Sequence, residues 1–392
     1  MARHHDVIIV GGAVHGASAA YHLAAHPGFS GRVLLVEKDP SFQQAASALS
    51  AASIRQQFSS PVNIELSLFG IEFLRNIGET LAVGDDRPFI SLTEGGYLFL
   101  ATAAGRTTLA ENHVEQAGRG ADIVFLEPDE IAEHFPYLAL DDIAAGAFGA
   151  TGEGWFDGYG LMQAFRRKAR ALGVETLAGT VAEIVTDGTR ATGIRLADGT
   201  TLEAGTVIIA AGTGARALVE PLGIPLPVEA RKRCIFTFTC REKLPGFPML
   251  IDPSGVYCRP EGELFLCGSA PEAQNDPLAA DFEVDYALFE EMIWPVLATR
   301  VPAFEAIRPA RSWAGHYDMN LLDHNAIVGR LPPYGNLLIA NGFSGHGLQQ
   351  APGVGRGLAE LVVSGRYTTL DLAPLGFERI LENRPLIEKN IV

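Results

Sequence analysis

Eleven residues near the start of the chain limit its fold more than any other stretch: Asp6-Val-Ile-Ile-Val-Gly-Gly-Ala-Val-His-Gly16. Val7 to Val10 form the unbroken apolar run expected of a strand buried on both faces, and helical spacing begins directly behind the glycines. Gly11 admits a tight turn, Gly16 lets the helix lie close to the strand, and the amides at the helix start point at an anion above the turn. Ala13 stands where the usual fingerprint has its middle glycine, so one methyl group crowds the backbone's approach to that anion. A second strand, Arg32-Val-Leu-Leu-Val-Glu37, brings Glu37 about twenty residues past the last glycine, where a ribose hydroxyl needs an acceptor, with Lys38 beside it. A glycine fingerprint by itself is also an ordinary glycine-rich turn. Framed by two strands and the spaced acid, residues Gly11, Gly12, Ala13, Val14, His15 and Gly16 read as a dinucleotide pyrophosphate site.

With 392 residues, 47% of them hydrophobic, the chain is long enough for two domains. Its net charge of -16 excludes a phosphate-backbone partner such as a nucleic acid. The densest basic run, Arg231-Lys232-Arg233, reads as a solvated edge rather than a docking patch. The four cysteines, Cys234, Cys240, Cys258 and Cys267, lack C-x-x-C spacing and read as buried small hydrophobes in a reducing compartment. No metal site is expected. No secretory pattern precedes the glycine turn, and no apolar run approaches the roughly 20 residues of a membrane span, so the expected location is cytoplasmic.

Further along, residues 42–55 are a run of small side chains that ends at Arg55. Small residues, among them Ser47, Ala48 and Ser50, let backbone lie flat against a ligand, and they equally suit a helix packed on a sheet. Val62, Leu66, Phe69, Phe73 and Ile77 then mark an amphipathic helix behind Pro61, its apolar stripe belonging to the core. Residues 85–148 change to strands such as 97–100 with polar helices between them. Helical spacing returns at Leu161, Phe165, Ala169 and Leu172. A β-meander over 181–185 and 191–196 feeds a second apolar strand, Thr206-Val-Ile-Ile-Ala-Ala-Gly212. Residues 227–312 again read as strands (234–238, 255–258, 264–268) with one helix over 286–297. A third apolar strand begins at Asn336, ends in the glycines of 342–347, and is followed by helical spacing from Val354 to Val363. All three apolar strands end in glycine turns, which a parallel sheet gathers at its carboxyl edge. A cofactor touching all three must be long, and a nucleotide fold interrupted twice by another domain favours FAD over a nicotinamide. The expected fold is α/β, α+β overall. A discontinuous Rossmann-like FAD-binding domain (1–83, 146–226 and 316–392) is interleaved with a substrate domain on a mixed or antiparallel sheet (84–145 and 227–315).

Three motifs, Val10-Gly-Gly-Ala-Val-His-Gly16, Ala210-Ala-Gly212 and Gly342-Phe-Ser-Gly-His-Gly-Leu-Gln-Gln-Ala-Pro-Gly353, resemble the D-amino-acid oxidase superfamily of flavoproteins, in its branch of sarcosine oxidase and dimethylglycine dehydrogenase. Within that branch, Ser53-Ile-Arg-Gln-Gln-Phe58 and Gly154-Trp-Phe-Asp157 look most like a mitochondrial group of FAD-dependent oxidoreductases associated with assembly of respiratory complex I. The resemblance spans nearly the whole chain. It implies that Gly11, Gly16, Glu37 and Lys38 hold the ADP half of FAD, with Val181, Ala211 and Gly212 on the adenine and ribose side. Gly345, His346, Gly347, Leu348 and Gln349 then meet the flavin ring, where the positive end of a helix favours the reduced anion, and Gly342 and Ser344 also belong to the cofactor site. His346 reads as a turn histidine facing backbone, with proton transfer as the alternative. Arg55 matches the arginine that pairs with a substrate carboxylate, and equally suits a salt bridge closing the small-residue loop. Tyr317 and Tyr257 fall where they line the substrate cavity or belong to core.

Two departures from the family bear on chemistry. The oxidases' lysine near flavin N5 aligns with the strand Leu264-Phe-Leu-Cys-Gly268, and a second lysine, which helps hold the carboxylate, is Gln349 here. The cysteine that carries covalent flavin in relatives is Gly315, and 42–55 contain no histidine. The resemblance therefore implies non-covalent FAD and oxidation of a small secondary amine or amino acid (N-methyl or D-amino acid) by hydride transfer from its α-carbon to flavin N5. It favours a dehydrogenase that passes electrons to a quinone or an electron-transfer flavoprotein. The competing expectation is a flavin-bound assembly or scaffold protein with vestigial chemistry.

Overall fold

The computed structural model describes residues 4–271 and 276–389. Two eight-stranded sheets carry the architecture. The first runs Ile327–Leu331, Tyr334–Asn341, Thr201–Ile209, His4–Val10, Val33–Glu37, Glu175–Ala178. From Tyr334–Asn341 to Glu175–Ala178 the neighbours are parallel, with Ile8 opposite both Val207 and Leu34. Such strands are buried on both faces. Side chains alternate along the central one: Val7 and Ile9 pack under helices Val14–Ala25, Gly158–Ala171 and Gly347–Ser364. Ile8 and Val10 pack instead against Ile184, Ile194 and Val219. The meander is present, Val181–Thr186 and Ala191–Leu196 lying antiparallel on the end of Thr201–Ile209.

The second sheet runs Arg308–Asn320, Val228–Thr239, Leu264–Gly268, Tyr257–Glu261, Met249–Ile251, Tyr97–Ala101, Ala145–Gly149, Val124–Leu126. Only the Met249–Ile251 and Tyr97–Ala101 pair is parallel. On one face Leu98, Leu100, Cys234, Phe236, Phe238, Cys258 and Cys267 form a closed core with Leu297 and Phe304. Tyr97, Phe99, Met249 and Ile251 lie on the other face, with Tyr257 packed against them. Cys234, Cys258 and Cys267 are buried free thiols, and Cys240 is half-buried.

Three local features depart from expectation. The Pro61 helix ends at Arg75, because the Asn76 amide turns back to Glu72 O at 2.8 Å, and Ile77 opens a separate short turn. The helix predicted over 286–297 starts with a wide π turn at Leu288–Ile293 and continues as Trp294–Arg300. Pro295 lacks the N–H an α turn would use, and its ring crowds the preceding carbonyl, so the turn opens. The basic run is not a solvated edge. Arg233 is buried and bidentate to Asp276 at 2.8 Å, Arg231 pairs with Glu229 at 2.6 Å, and Lys232 is the most exposed of the three, paired with Asp281. Among the described residues, no helix is long and apolar enough to cross a membrane.

One buried ion pair ties the C-terminal segment to the first sheet. Arg379 meets Asp323 at 2.8 Å and also donates to the carbonyls of Leu375, Asn325 and Ala326, while Asp323 receives the peptide N–H of Leu386. Removing one partner strands the other charge inside, so Arg379→Ala is expected to cost about 3–5 kcal/mol in a urea titration of the apoprotein. A loss below about 1 kcal/mol, the worth of an exposed pair, would show that this contact is open to water.

Candidate active site

The first glycine turn is shaped by contacts that only glycine tolerates. Gly11 has φ +102°, and a Cβ there would lie 2.2 Å from Ala210 O, so strand and turn touch backbone to backbone. At Gly16 a Cβ would lie 1.8 Å from Gly11 O, which is the close helix approach the sequence implied. Gly12 N–H donates to Glu37 Oε2 at 2.7 Å, and Asp39 N–H to Glu37 Oε1 at 2.8 Å, which places the acid against the turn. The helix after the turn has no side chain capping it from Ala13, but Val14 N–H reaches Ser47 Oγ at 3.4 Å. The small-residue run thereby docks on the start of that helix.

The second and third turns are locked to each other through Asp318. Its Oδ2 accepts Gly342 N–H at 2.8 Å and the Asn341 amide at 3.1 Å, and the same amide donates to Gly212 O at 2.8 Å. Burial pushes the Asp318 carboxyl up to about 6, opposed by the N–H groups of Phe343 and Gly342. Gly345 has φ +100°, and a Cβ there would sit 2.5 Å from the Tyr317 ring, so the loop lies flat on that tyrosine.

A cavity of about 510 Å³ runs between these turns. Its wall holds Gly11, Ala13, Val14, His15, Glu37, Lys38, Ser47, Ser50, Val181, Ala211, Gly212, Tyr317, Gly345, Gly347 and Leu348 of the residues expected from sequence. Gly12, Gly16, Ala48, Gly342, Ser344, His346 and Gln349 stand behind the wall or beside it, Gly12 and Gly342 acting through the hydrogen bonds above. His15 stacks on Phe343 with ring centroids 3.6 Å apart. Burial drives it down to about 3, and its Nε2 has no partner among the described residues. An elongated cavity with an acid at one end, two helix starts and an orphaned buried nitrogen on its wall fits a dinucleotide.

Beyond the third turn lies a cluster drawn from distant parts of the chain. A two-residue ladder, Ser53–Ile54 on Gly154–Trp155, absent from the sequence reading, delivers Arg55. Arg55 N–H donates to Gln349 Oε1 at 2.7 Å, Nη1 donates to Gln57 O, and Nη2 lies 3.3 Å from His346 Nε2. The guanidinium stands 4.0 Å from the centre of the Phe58 ring and 5.3 Å from that of Phe99. No carboxylate among the described residues pairs with it, which removes the loop-closing salt bridge. His346 faces this guanidinium and the Phe58 ring rather than backbone. Burial, reinforced by the Arg55 charge, pushes His346 down to about 3, so its Nε2 is an acceptor for the arginine.

The antiparallel sheet closes the cluster from the other side. Tyr257 lies over Gly268, where a Cβ would meet its hydroxyl at 2.4 Å, and the Tyr317 ring is 5.4 Å from Arg233. Burial raises the Tyr97, Tyr257 and Tyr317 phenols above their ordinary value, so all three are protonated at neutral pH. The apolar strand Leu264–Gly268 has a cation beside it, on the neighbouring strand. Arg259 is paired directly across from Leu266, is 4% exposed, and is held by Ala51 O at 2.7 Å and by Glu261. Sequence reasoning gave no site role to Asp318, Phe343, Phe58, Arg233 or Glu153. Phe58, Phe343 and Arg233 lie inside stretches singled out above, Asp318 adjoins Tyr317 and Glu153 adjoins Gly154.

A parallel sheet with three glycine turns at its carboxyl edge, faced by an antiparallel sheet bearing tyrosines and arginines, is the build of a nucleotide-dependent oxidoreductase. Residues 6–361 match the family model DAO, FAD dependent oxidoreductase, and the chain belongs to that family. FAD-dependent oxidoreductase domain-containing protein 1 of Xenopus laevis is 41% identical over 99% of this chain and 85% of its own length. Sarcosine oxidase subunit beta of Arthrobacter is 26% identical over 98% and 93%. Among solved structures, L-proline dehydrogenase from P. horikoshii aligns with TM-score 0.86 at 23% identity, over 98% of this chain and 100% of that one. Glycine oxidase from Geobacillus kaustophilus aligns with TM-score 0.79 at 26% identity, over 95% and 98%. The cofactor of the family is FAD, and the cavity fits it.

Proposed function

We propose that the chain oxidises a small secondary amine or amino acid, of N-methyl or D-amino acid type, and works as a dehydrogenase. The observation that carries this reading is Arg55: a half-buried guanidinium with no carboxylate partner among the described residues, fixed at Gln57 O and His346 Nε2, enclosed by aromatic rings beside the third glycine turn. An arginine fork left with donors to spare is a receptor for a planar anion, and a bound carboxylate fixes the α-carbon. Gln349 offers its amide next to the same group, because Arg55 N–H holds its carbonyl end. Tyr257 and Tyr317, both neutral, bound the pocket without serving as bases, so the amine reacts in its uncharged form. When bound, FAD supplies the two-electron acceptor. Gly11 to Gly16, Glu37 and Lys38 would hold its nucleotide half, and Gly342 to Gln349 its ring. In this reading 84–145 and 227–315 form the substrate domain and the rest the FAD domain. The unpaired cysteines support a cytoplasmic setting.

Gln349 in place of a cation also supports a second reading, a flavin-bound assembly or scaffold protein with little amine oxidation. Anaerobic mixing with a panel of N-methyl and D-amino acids separates the two. Bleaching by one member, followed by faster reoxidation with a quinone or electron-transfer flavoprotein than with oxygen, supports the dehydrogenase. If none bleaches the cofactor while dithionite does, the amine reading is sunk.

FAD should be held without a covalent bond. Gly315 offers no nucleophile, and its Cβ position is 3.0 Å from that of Leu49. His316, the next residue, does reach the cavity wall. Its ring is engaged, stacked on Phe282 at 3.9 Å with Nε2 2.7 Å from Asp281 O. Acid precipitation is expected to leave yellow flavin in the supernatant. A fluorescent protein band on a denaturing gel would mean that His316 leaves those contacts and bonds the cofactor.

A further inference from the structure

The reaction proposed above has no use for Glu153, yet this carboxylate is fully buried one residue before the ladder that delivers Arg55. Its oxygens collect three donors from the segment that follows Arg55. The peptide N–H groups of Gln56 and Gln57 go to Oε1, the second at 3.2 Å, and the Gln57 side-chain amide goes to Oε2 at 2.7 Å. Gln57 O then receives Arg55 Nη1, so a single residue lies between the buried carboxylate and the guanidinium. The surroundings are cut to fit. A Cβ on Gly149 would lie 2.2 Å from Glu153 Oε2, and one on Gly152 would lie 2.3 Å from the Gln56 amide, which donates to Gly152 O. Gly152 N–H is itself held by Glu94 at 2.6 Å, and the Gln57 amide also reaches Tyr97 O at 3.0 Å.

A buried carboxylate is a costly way to pin a loop. Burial pushes Glu153 up to about 7, against the Gln57, Gln56 and Arg55 contributions that favour its charge. Because that value lies above the ordinary one, ionising Glu153 lowers folding stability as pH rises from the ordinary glutamate range to about 7. A neutral amide would avoid this cost but would turn an N–H₂ group toward one of the three donors. Only an acceptor at both ends satisfies them all.

We propose that Glu153 is the positioning residue of the substrate site: it holds Gln56 and Gln57 by their N–H groups and so, through Gln57 O, fixes the Arg55 guanidinium beside the third glycine turn. The proposal rests on Arg55 being the carboxylate anchor. It is tested in the FAD-loaded enzyme with Glu153→Gln and Glu153→Asp beside Arg55→Ala, using the panel member that reduces the enzyme best. Glu153→Gln is expected to raise KM by about tenfold or more, the effect of losing a hydrogen bond to a charged group, with kcat within about threefold of wild type. Hydrogen exchange over residues 53–58 should rise in the same variant, and Glu153→Asp should recover part of both effects.

Unchanged exchange and KM in Glu153→Gln overturn the proposal. So does a parallel fall of kcat, KM and FAD content without recovery by aspartate, since that is the mark of a merely structural residue. If exchange rises but Arg55→Ala leaves KM untouched, the anchor reading has failed and the proposal falls with it, while the clamp on the loop is shown separately.

Discussion

Replacing Arg55 with alanine is expected to raise KM for a carboxylate substrate by roughly thirtyfold to several thousandfold, because losing one partner of a desolvated charge pair costs about 2–5 kcal/mol. The large end of this range applies if water stays out of the pocket. Phe58 and Phe99 stand over the guanidinium, and the neutral His346 occupies one of its edges, so little solvent is at hand to replace the lost fork. Arg55→Lys keeps the charge but not the two parallel donors, and it should recover only part of the affinity. FAD content is measured alongside, because two of the residues that Arg55 contacts, His346 and Gln349, belong to the segment placed against the flavin ring, and the KM effect is read on the FAD-loaded fraction. Initial rates at saturating electron acceptor measure the effect. An unchanged KM removes Arg55 from the site.

The parts of the molecule legible in the sequence are those whose physics is local. Val7 to Gly16 state strand, turn and helix within a few residues, and the spaced Glu37 repeats the message from the next strand. Turn glycines are equally readable, because Gly11 and Gly345 need backbone angles that other residues rarely adopt. What escaped were contacts joining residues far apart in the chain. Glu153 meets Gln56 across 97 positions, and His346 meets Arg55 across 291. His346 looked like a backbone-facing turn residue because nothing near it in sequence announces a guanidinium. Arg231-Lys232-Arg233 looked solvated for a related reason. Three charges in a row suggest an exposed edge, but strand alternation turns Arg233 inward and Asp276, 43 positions on, neutralises it there. The placement of Arg259 likewise rests on strand pairing: the strand aligned with the oxidase lysine is apolar, and the cation stands on the neighbouring strand, opposite Leu266.

Asp318 is the residue whose loss should disturb the cofactor most. It lies on the antiparallel sheet, yet its carboxylate gathers Gly342 N–H and the Asn341 amide, and through Asn341 it reaches Gly212 O, so one side chain sets the spacing of two glycine turns along the cavity. In Asp318→Ala two buried donors lose their acceptor, at about 1–3 kcal/mol each. Since the same turns form the wall where FAD fits, most of that cost should appear as weaker FAD binding. The expected result is a dissociation constant larger by roughly thirtyfold or more, from about 2 kcal/mol at the low end. Asp318→Asn keeps the shape but faces an amide toward one donor, and it should fall between wild type and alanine. The pH dependence has a definite sign. Burial holds the folded-state value near 6, above the ordinary carboxylate range, so protonation favours the folded chain and this group alone adds folding stability as pH drops toward that range. FAD retention runs the other way: the proton removes the charge that Gly342 and Asn341 bind, and affinity should decline as pH falls through about 6 in wild type but not in Asp318→Asn. Recovery of free-flavin fluorescence on dilution measures both effects, and an Asp318→Ala protein that keeps FAD within about twofold of wild type, less than a quarter of the low-end energy, would show that the turns hold their spacing without this carboxylate.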